Sequence, residues 1–182
     1  MKLAQGTAVE FVVGDLMEQR VDGYIVPFGD PDGTSSRVQQ HIRRIAHAGL
    51  GEEIARQLAL LPGGRMEEGE CIVTPAPGLL CEHLIHCHLV SSSTDRREAA
   101  SSLLSALGKA LTRSRDVGAT SVALPAIGTG AYGLSSQEVA YASVRAALAV
   151  QEVDSRLTLI RLVLSSSRTL AEFLVARSDY KE

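Results

Sequence analysis

The sequence predicts an α/β protein, a three-layer α/β/α sandwich around a mixed, mostly parallel sheet of about six strands. Strand-like and helix-like stretches alternate along the chain, and several of the strands are continuous apolar runs of the kind buried on both faces. The length of 182 residues suits one ordinary domain, and no internal repeat or linker divides it, so residues 1–182 are expected to form a single unit with a core over about 8–175.

The elements follow in order. Val9 to Val13 is a short β-branched and aromatic run stopped by Gly14-Asp15, and Tyr24-Ile25-Val26 is another stopped by Pro27 and Gly29. Between Ser35 and Leu61 the apolar positions Val38, Ile42 and Ile45, then Ile54, Leu58 and Leu61, recur at helical steps. Gly49 and Gly51 separate the two groups, which predicts two consecutive helices ending at Pro62-Gly63-Gly64. Cys71 to Thr74 and His83 to Val90 read as strands joined by the turn Pro75-Ala76-Pro77-Gly78. A helix is expected from Arg96 to Arg115, entered through Ser93-Thr94-Asp95 and closed near Gly118. Ser121 to Ile127 is a further strand. Ser135-Ser136-Gln137-Glu138 has the form of a capping box, with Val139 to Val150 continuing as helix. Leu157 to Leu164 is the last strand and Thr169 to Arg177 the last helix.

Composition excludes several classes of function. Hydrophobic residues make up 45% and charged residues 21%, which allows a core to be buried. Eighteen basic against 21 acidic residues leave a net charge of −3, so no overall field draws in a nucleic-acid backbone. With no Trp, four Tyr and three Phe there is little material for a base-stacking platform. Three cysteines without framework spacing suit a reducing compartment, and the cytoplasm is expected, or the nucleus in a eukaryote. The opening residues lack the apolar core of a signal peptide, and no apolar run approaches the roughly 18 residues of a membrane span, so no membrane association is expected.

Ligands of open α/β sheets bind beyond the carboxyl ends of the strands. That rule singles out Asp15, the segment Pro27 to Arg37, the segment Gly128 to Gly133, and Ser165 to Ser167. The most informative stretch is Pro125-Ala126-Ile127-Gly128-Thr129-Gly130-Ala131-Tyr132-Gly133, which sets three glycines between a buried strand and a capped helix. Glycine permits close backbone approach, so successive N–H groups there can converge on an anion, although a tight turn would also use glycines. The spacing Gly128-x-Gly130-x-x-Gly133 also matches a dinucleotide-binding fingerprint. Context argues against that reading: the fingerprint opens a first βαβ unit, whereas here one strand remains, and the capping box starts the helix only at Ser135.

At this point the sequence resembles the macrodomains, modules that bind ADP-ribose. Pro125 to Leu134 is similar to their second ligand loop, P-A-[IL]-[SG]-T-G-x-[YF]-G. Val13-Gly14-Asp15-Leu16 followed by Val21-Asp22 is similar to the opening G-D-I-T and V-D-A-I-V. Glu68 to Thr74 is similar to T-G-E-A-x-I-T, and His83-Leu84-Ile85-His86 to K-Y-V-I-H, so the likeness spans about residues 8–175. It implies that Asp15, followed by Leu16, hydrogen-bonds the adenine amino group. It also implies that Ala126, Ile127, Gly128, Thr129, Gly130, Ala131, Tyr132 and Gly133 form the loop whose amides hold the diphosphate, with Tyr132 near the distal ribose. Thr129 as a plain loop residue and Tyr132 as a core ring remain open alternatives.

The first ligand loop departs from the family. Its usual form is N-A-A-N followed by G-G-G-V; here Val26 and Gly29 stand at the asparagines, and Ser35-Ser36-Arg37 at the triple glycine ahead of Val38. Pro27, Phe28 and Gly29 remain candidates for ligand contact. Arg37 either blocks the close approach of backbone to diphosphate or clamps a phosphate with its guanidinium. Asp30 is the one catalytic candidate, one position from the second asparagine, although Gly29-Asp30-Pro31-Asp32-Gly33 has ideal turn chemistry. Ser165 stands where the family often carries an adenine-stacking aromatic, and Phe28 offers either a ring from the other side or an ordinary hydrophobic contact. The resemblance therefore implies altered binding of ADP-ribose or of an ADP-ribosylated protein, with no cofactor required, alone or within a larger assembly. An ADP-ribosyl hydrolase or deacylase is the alternative, and a protein-interaction domain that has lost its ligand is a second.

Two other constellations stand out in the sequence. Cys81, His83, His86, Cys87 and His88 fall within eight residues, which invites a zinc reading. Strand alternation divides them, His86 and His88 on one face with Leu84, His83 and Cys87 on the other with Ile85 and Leu89, so no metal site is nominated. None of Cys71, Cys81 or Cys87 lies at a glycine-flanked strand-to-helix turn, and no nucleophile is nominated.

Overall fold

The structure, a computed structural model, describes residues 6–29, 37–46, 49–89, 95–129, 133–152 and 156–180. These form six strands: β1 (Ala8–Val13), β2 (Gly23–Phe28), β3 (Cys71–Pro75), β4 (His83–His88), β5 (Ser121–Pro125) and β6 (Leu159–Leu164). They lie in one sheet in the order β1-β6-β5-β2-β4-β3. Every neighbouring pair is parallel except β3–β4, so the sheet is mixed and mostly parallel, as the alternating pattern predicts.

Five helices cover it: α1 (Arg37–Ile45), α2 (Gly49–Ala59), α3 (Arg96–Asp116), α4 (Ser136–Glu152) and α5 (Ser167–Asp179). One core, built on Tyr24, Val26, Phe28, Leu84 and Ile72, meets Ile42 of α1 and Leu50, Ile54 and Leu58 of α2. The other joins Ile25, Ile85, Val122, Leu124, Ile160 and Leu162 to Leu103 and Leu107 of α3, Val139 and Val144 of α4 and Phe173 of α5. The two sets alternate along each central strand because neighbouring side chains leave a pleated backbone on opposite faces. The chain therefore forms three layers around the sheet.

Helix α3 buries Ala99, Leu103, Ala106, Leu107, Ala110, Leu111 and Ser114, one stripe at three- and four-residue steps. Its entry is fixed by Asp95, whose Oδ1 accepts the Arg97 N–H at 2.8 Å. At the opposite edge of the sheet from the strand ends considered below, Asp22 Oδ2 accepts three bonds, from Thr120 N (2.7 Å), Thr120 Oγ1 (2.7 Å) and Ser121 N (3.0 Å). Burial works to raise the Asp22 pKa, but these hydrogen bonds outweigh it and hold the carboxyl below its ordinary value.

Several boundaries differ from expectation for local reasons. β5 ends at Pro125 rather than Ile127 because the Ile127 N–H turns back to the Pro125 carbonyl at 2.8 Å. β6 begins at Leu159 rather than Leu157: the Leu157 carbonyl accepts the Thr7 hydroxyl at 2.6 Å instead of joining the ladder. α5 begins two residues before Thr169, because Ser166 Oγ accepts the Thr169 N–H at 3.2 Å and caps the helix. β2 runs on to Phe28, β3 to Pro75 and α3 to Asp116. β4 stops at His88, and Val90 lies outside the described residues, as do Ser35 and Ser36 ahead of α1. Among the described residues no helix is long and apolar enough to cross a membrane.

Candidate functional site

Because β1, β6, β5, β2 and β4 run parallel, their carboxyl ends share one edge of the sheet and the segments that follow gather there. Val13 pairs with Leu164, and the Gly14 N–H donates to the Leu164 carbonyl at 3.0 Å. The pairing thus runs one residue past β1, and Asp15 follows at the carboxyl end of β6. Val163 in turn pairs with Pro125, so the Ala126 turn lies next in line.

Asp15 is exposed, yet held. Its Oδ1 accepts the Met17 N–H at 2.9 Å, capping a single 3-10 turn over Leu16–Glu18. The Asp15 carbonyl accepts from Gln19 Nε2 at 2.8 Å, and the Gln19 carbonyl accepts from the Tyr24 hydroxyl at 2.6 Å. Arg161 of β6 reaches Gln19 Oε1 at 3.3 Å while pairing with Glu10 Oε2 through Nε at 2.9 Å and Nη2 at 2.7 Å. Burial pushes the Tyr24 phenol above its usual range, so it stays a donor to Gln19. Tyr24, Gln19 and Arg161 were missed by sequence reasoning, since nothing local marks contacts that depend on strand pairing.

After β5, Gly128 takes φ +116° and is buried. A Cβ there would lie 3.1 Å from Val139 Cγ2 and 3.2 Å from Leu103 Cδ2. The position thus excludes a side chain on two counts, conformation and space. The turn is pressed against α3 and α4, and Thr129, which is exposed, donates from Oγ1 to the Ala126 carbonyl at 3.4 Å. The loop then enters α4 through the expected capping box: Ser135 N donates to Glu138 Oε2 at 2.8 Å, and Glu138 N donates to Ser135 Oγ at 3.3 Å. Helix α4 starts at Ser136, after Gly133, which is the arrangement that argued against a dinucleotide fingerprint.

The Glu138 carboxylate has a further partner. Arg96 donates from Nε to Oε1 at 3.1 Å and from Nη2 to Oε2 at 2.7 Å. Those hydrogen bonds, with the Ser135 contacts, lower the Glu138 pKa to about 2. The carboxylate already occupies the end of α4, so any anion in this loop must be met by backbone N–H groups ahead of the helix.

Of the other candidates, Leu16, Phe28 and Ile127 are buried. Pro27, Gly29, Val38 and Ala126 are half-buried, and Arg37, Gly133 and Ser165 are exposed. Val26 is fully buried. Asp30, Gly130, Ala131 and Tyr132 lie outside the described residues.

Phe28 makes hydrophobic and ring contacts, edge-on to His86 at 5.9 Å and to His88 at 6.4 Å between centroids. His86 Nε2 lies 3.0 Å from Thr74 Oγ1, and burial, aided by the Arg43 charge, depresses its pKa to about 4. Cys87 points to the opposite face, where its Sγ donates to the Ala106 carbonyl at 3.6 Å. Among the described residues, no group of three His, Cys, Asp or Glu is placed to hold a metal ion.

The macro domain family model matches residues 34–143. A macro domain-containing protein of Listeria monocytogenes is 28% identical over 165 residues, covering 89% of this chain and 92% of the relative. Among solved structures, a mutant of the Oceanobacillus iheyensis macrodomain with ADPR superposes with a TM-score of 0.86 at 19% identity, covering 99% of this chain and 96% of that one. The Trypanosoma brucei macrodomain in complex with ADP-ribose gives a TM-score of 0.74 at 15% identity, covering 91% of this chain and 67% of that one.

Proposed function

This chain belongs to the macrodomain family, and from that premise we propose that it binds ADP-ribose, free or attached to protein, along the carboxyl edge of β1, β6, β5 and β2. The observation that carries the reading is Gly128. Its positive φ and its contact with Leu103 and Val139 fix the turn that leads from β5 toward a capped helix, as a backbone cradle for a diphosphate requires. Asp15 supports the adenine end: its carboxylate is exposed, oriented by the Met17 N–H, and set beside the end of β6. The ADPR and ADP-ribose held by the structural neighbours are ligands of that chemistry.

The net charge of −3 does not oppose this, since neutral amides hold the phosphates. We further propose that binding differs from the family norm and that turnover is absent or slow. Val26 and Gly29 stand at the asparagine positions, and a fully buried Val26 offers no side chain to a ribose or a water. Titration calorimetry with ADP-ribose tests the first claim, with heat expected at micromolar to millimolar ligand; none at millimolar overturns it. Incubation with mono-ADP-ribosylated protein tests the second, and rapid release of ADP-ribose would overturn it.

A further inference from the structure

We propose that Cys71 and Cys87 form a redox-active dithiol on the β3–β4 edge, which a hydroperoxide converts into a cross-strand disulfide. The pair lies at the β3–β4 end of the strand order, with Cys87 beside Pro27 in the β2–β4 register, and its chemistry does not depend on the ADP-ribose reading.

The register places Cys71 directly opposite Cys87 in the one antiparallel pair of the sheet. His88 N donates to the Glu70 carbonyl at 2.9 Å, one residue outside this pair, which makes Cys71 and Cys87 a non-hydrogen-bonded pair. In such pairs the Cα atoms stand about 4.5 Å apart with side chains on one face, inside the window of about 4.4 to 6.8 Å that disulfides span. Both side chains belong to the α3 side of the sheet, where Cys87 is part of the buried core and Cys71 packs against it.

The two sulfurs are unequal. Cys71 sits on an edge strand and is half-buried, so a small oxidant can reach it; Cys87 is fully buried. The Cys87 thiol opposite it lowers the Cys71 pKa against the effect of burial, with help from the Lys109 and Arg113 charges of α3; the Glu70 carboxylate opposes it. The neighbouring Cys71 sulfur and burial push the Cys87 thiol up. The Lys109 ammonium lies against Gly69, two residues ahead of Cys71. Cys71 is thus the attacking sulfur and Cys87 the resolving one. The third thiol, Cys81, is raised to about 12 by burial and serves as an internal control.

The chemistry balances. The Cys71 thiolate attacks the terminal oxygen of the hydroperoxide, the O–O bond breaks, and Cys71 sulfenic acid and an alkoxide or hydroxide result, which takes up a proton. The Cys87 sulfur then attacks the Cys71 sulfur. The S–S bond forms, the S–O bond breaks, and the leaving hydroxide takes the Cys87 proton as water. Overall the dithiol loses two electrons and two protons to the hydroperoxide.

The test is titration of the reduced full chain with hydrogen peroxide, read by intact mass and by peptide mapping without reductant. A loss of about 2 Da, two hydrogens, with a Cys71–Cys87 linked peptide that dithiothreitol separates is expected. Cys81→Ser should leave this unchanged, and Cys87→Ser should let a sulfenic acid on Cys71 be trapped by dimedone. In the unmodified chain, Cys71 should alkylate at least about tenfold faster than Cys81 at pH 7, which needs no variant to fold. Oxidation of Cys71 straight to sulfinic acid while Cys87 stays a thiol, a link through Cys81, or no reaction at either sulfur would each overturn the proposal.

Discussion

Arg96 and Glu138 lock the first turns of α3 and α4 together: the guanidinium meets both carboxylate oxygens, at 3.1 and 2.7 Å, across 42 residues of sequence. The same carboxylate holds the N–H and hydroxyl of Ser135, at 2.8 and 2.7 Å. The helix that follows β4 and the helix that follows the glycine loop are therefore fixed to one another at the carboxyl edge of the sheet. The exposed pair alone contributes little, whereas a helix cap is worth about 1 kcal/mol. Glu138→Ala, which removes the ion pair and both bonds from Ser135 to the carboxylate but keeps the Glu138 N–H on Ser135 Oγ, is expected to cost about 1 kcal/mol in urea unfolding, and Arg96→Ala distinctly less.

The same carboxylate sets an acid limit. Its folded pKa of about 2 lies below the ordinary 4.5, so its contribution is complete above pH 4.5 and lost as pH falls toward 2. A carboxyl titration followed by NMR should show this depressed value. In Arg96→Ala it should move up toward the ordinary one.

His86 sets a second, higher window. Its folded pKa of about 4 lies below the ordinary 6.5, so the unfolded chain binds the proton first as pH falls. Stability is complete above pH 6.5 and is lost between 6.5 and 4, by on the order of 3 kcal/mol. The charge has nowhere to go in a site shared with Thr74 and Phe28. Urea midpoints measured across this range should fall steeply for the wild type, and the slope should flatten in His86→Gln. An imidazole that titrates near 6.5 in the folded protein would contradict this.

Gly128→Ala should damage fold and site together. The added Cβ meets Val139 and Leu103 at 3.1 and 3.2 Å, and φ +116° strains any L side chain. We expect a loss of about 2 kcal/mol of stability. ADP-ribose affinity should fall by more than the unfolded fraction explains. Gly133→Ala is the comparison: its φ of +65° is strained, but nothing crowds its Cβ, so its cost should be smaller.

Much of this was legible in the sequence. The apolar β-branched runs and the helical spacing located all six strands and five helices of the described residues, and the Ser135–Glu138 box placed the start of α4 within one residue. What stayed hidden depends on partners remote in the chain. The late start of β6 reflects the Thr7 hydroxyl on the Leu157 carbonyl, 150 residues away, and Arg96 carries no local sign that Glu138 will meet it. At the site, Asp15 and Gly128 stood out because strand ends and glycines are local signals. The support under Asp15 did not, because Gln19, Tyr24 and Arg161 meet only once β1, β6 and β2 share a sheet.

Asp15 should confer selectivity for adenine. If its carboxylate accepts the adenine amino group, ADP-ribose should bind better than its inosine analogue, which lacks that donor. Asp15→Ala should erase the difference and weaken ADP-ribose by about tenfold or more, as expected for loss of a hydrogen bond to a charged group. It should also cost about 1 kcal/mol of stability through the lost Met17 cap, so both quantities should be measured on the same sample.

Arg37 decides between two roles that its position on α1 allows. It is the first residue of the helix and is exposed, so the side chain is not packed into the core that holds Ile42. An exposed guanidinium at the end of the first ligand loop is suited to reach a phosphate, and the loss of the family's glycines is offset if it does so. On this argument Arg37→Ala should weaken ADP-ribose about tenfold, with little change in stability, and the dependence of affinity on salt should become shallower. Arg37→Lys should recover only part of the loss, because an ammonium lacks the planar fork. A gain of affinity in Arg37→Ala would mean that the side chain blocks the diphosphate instead.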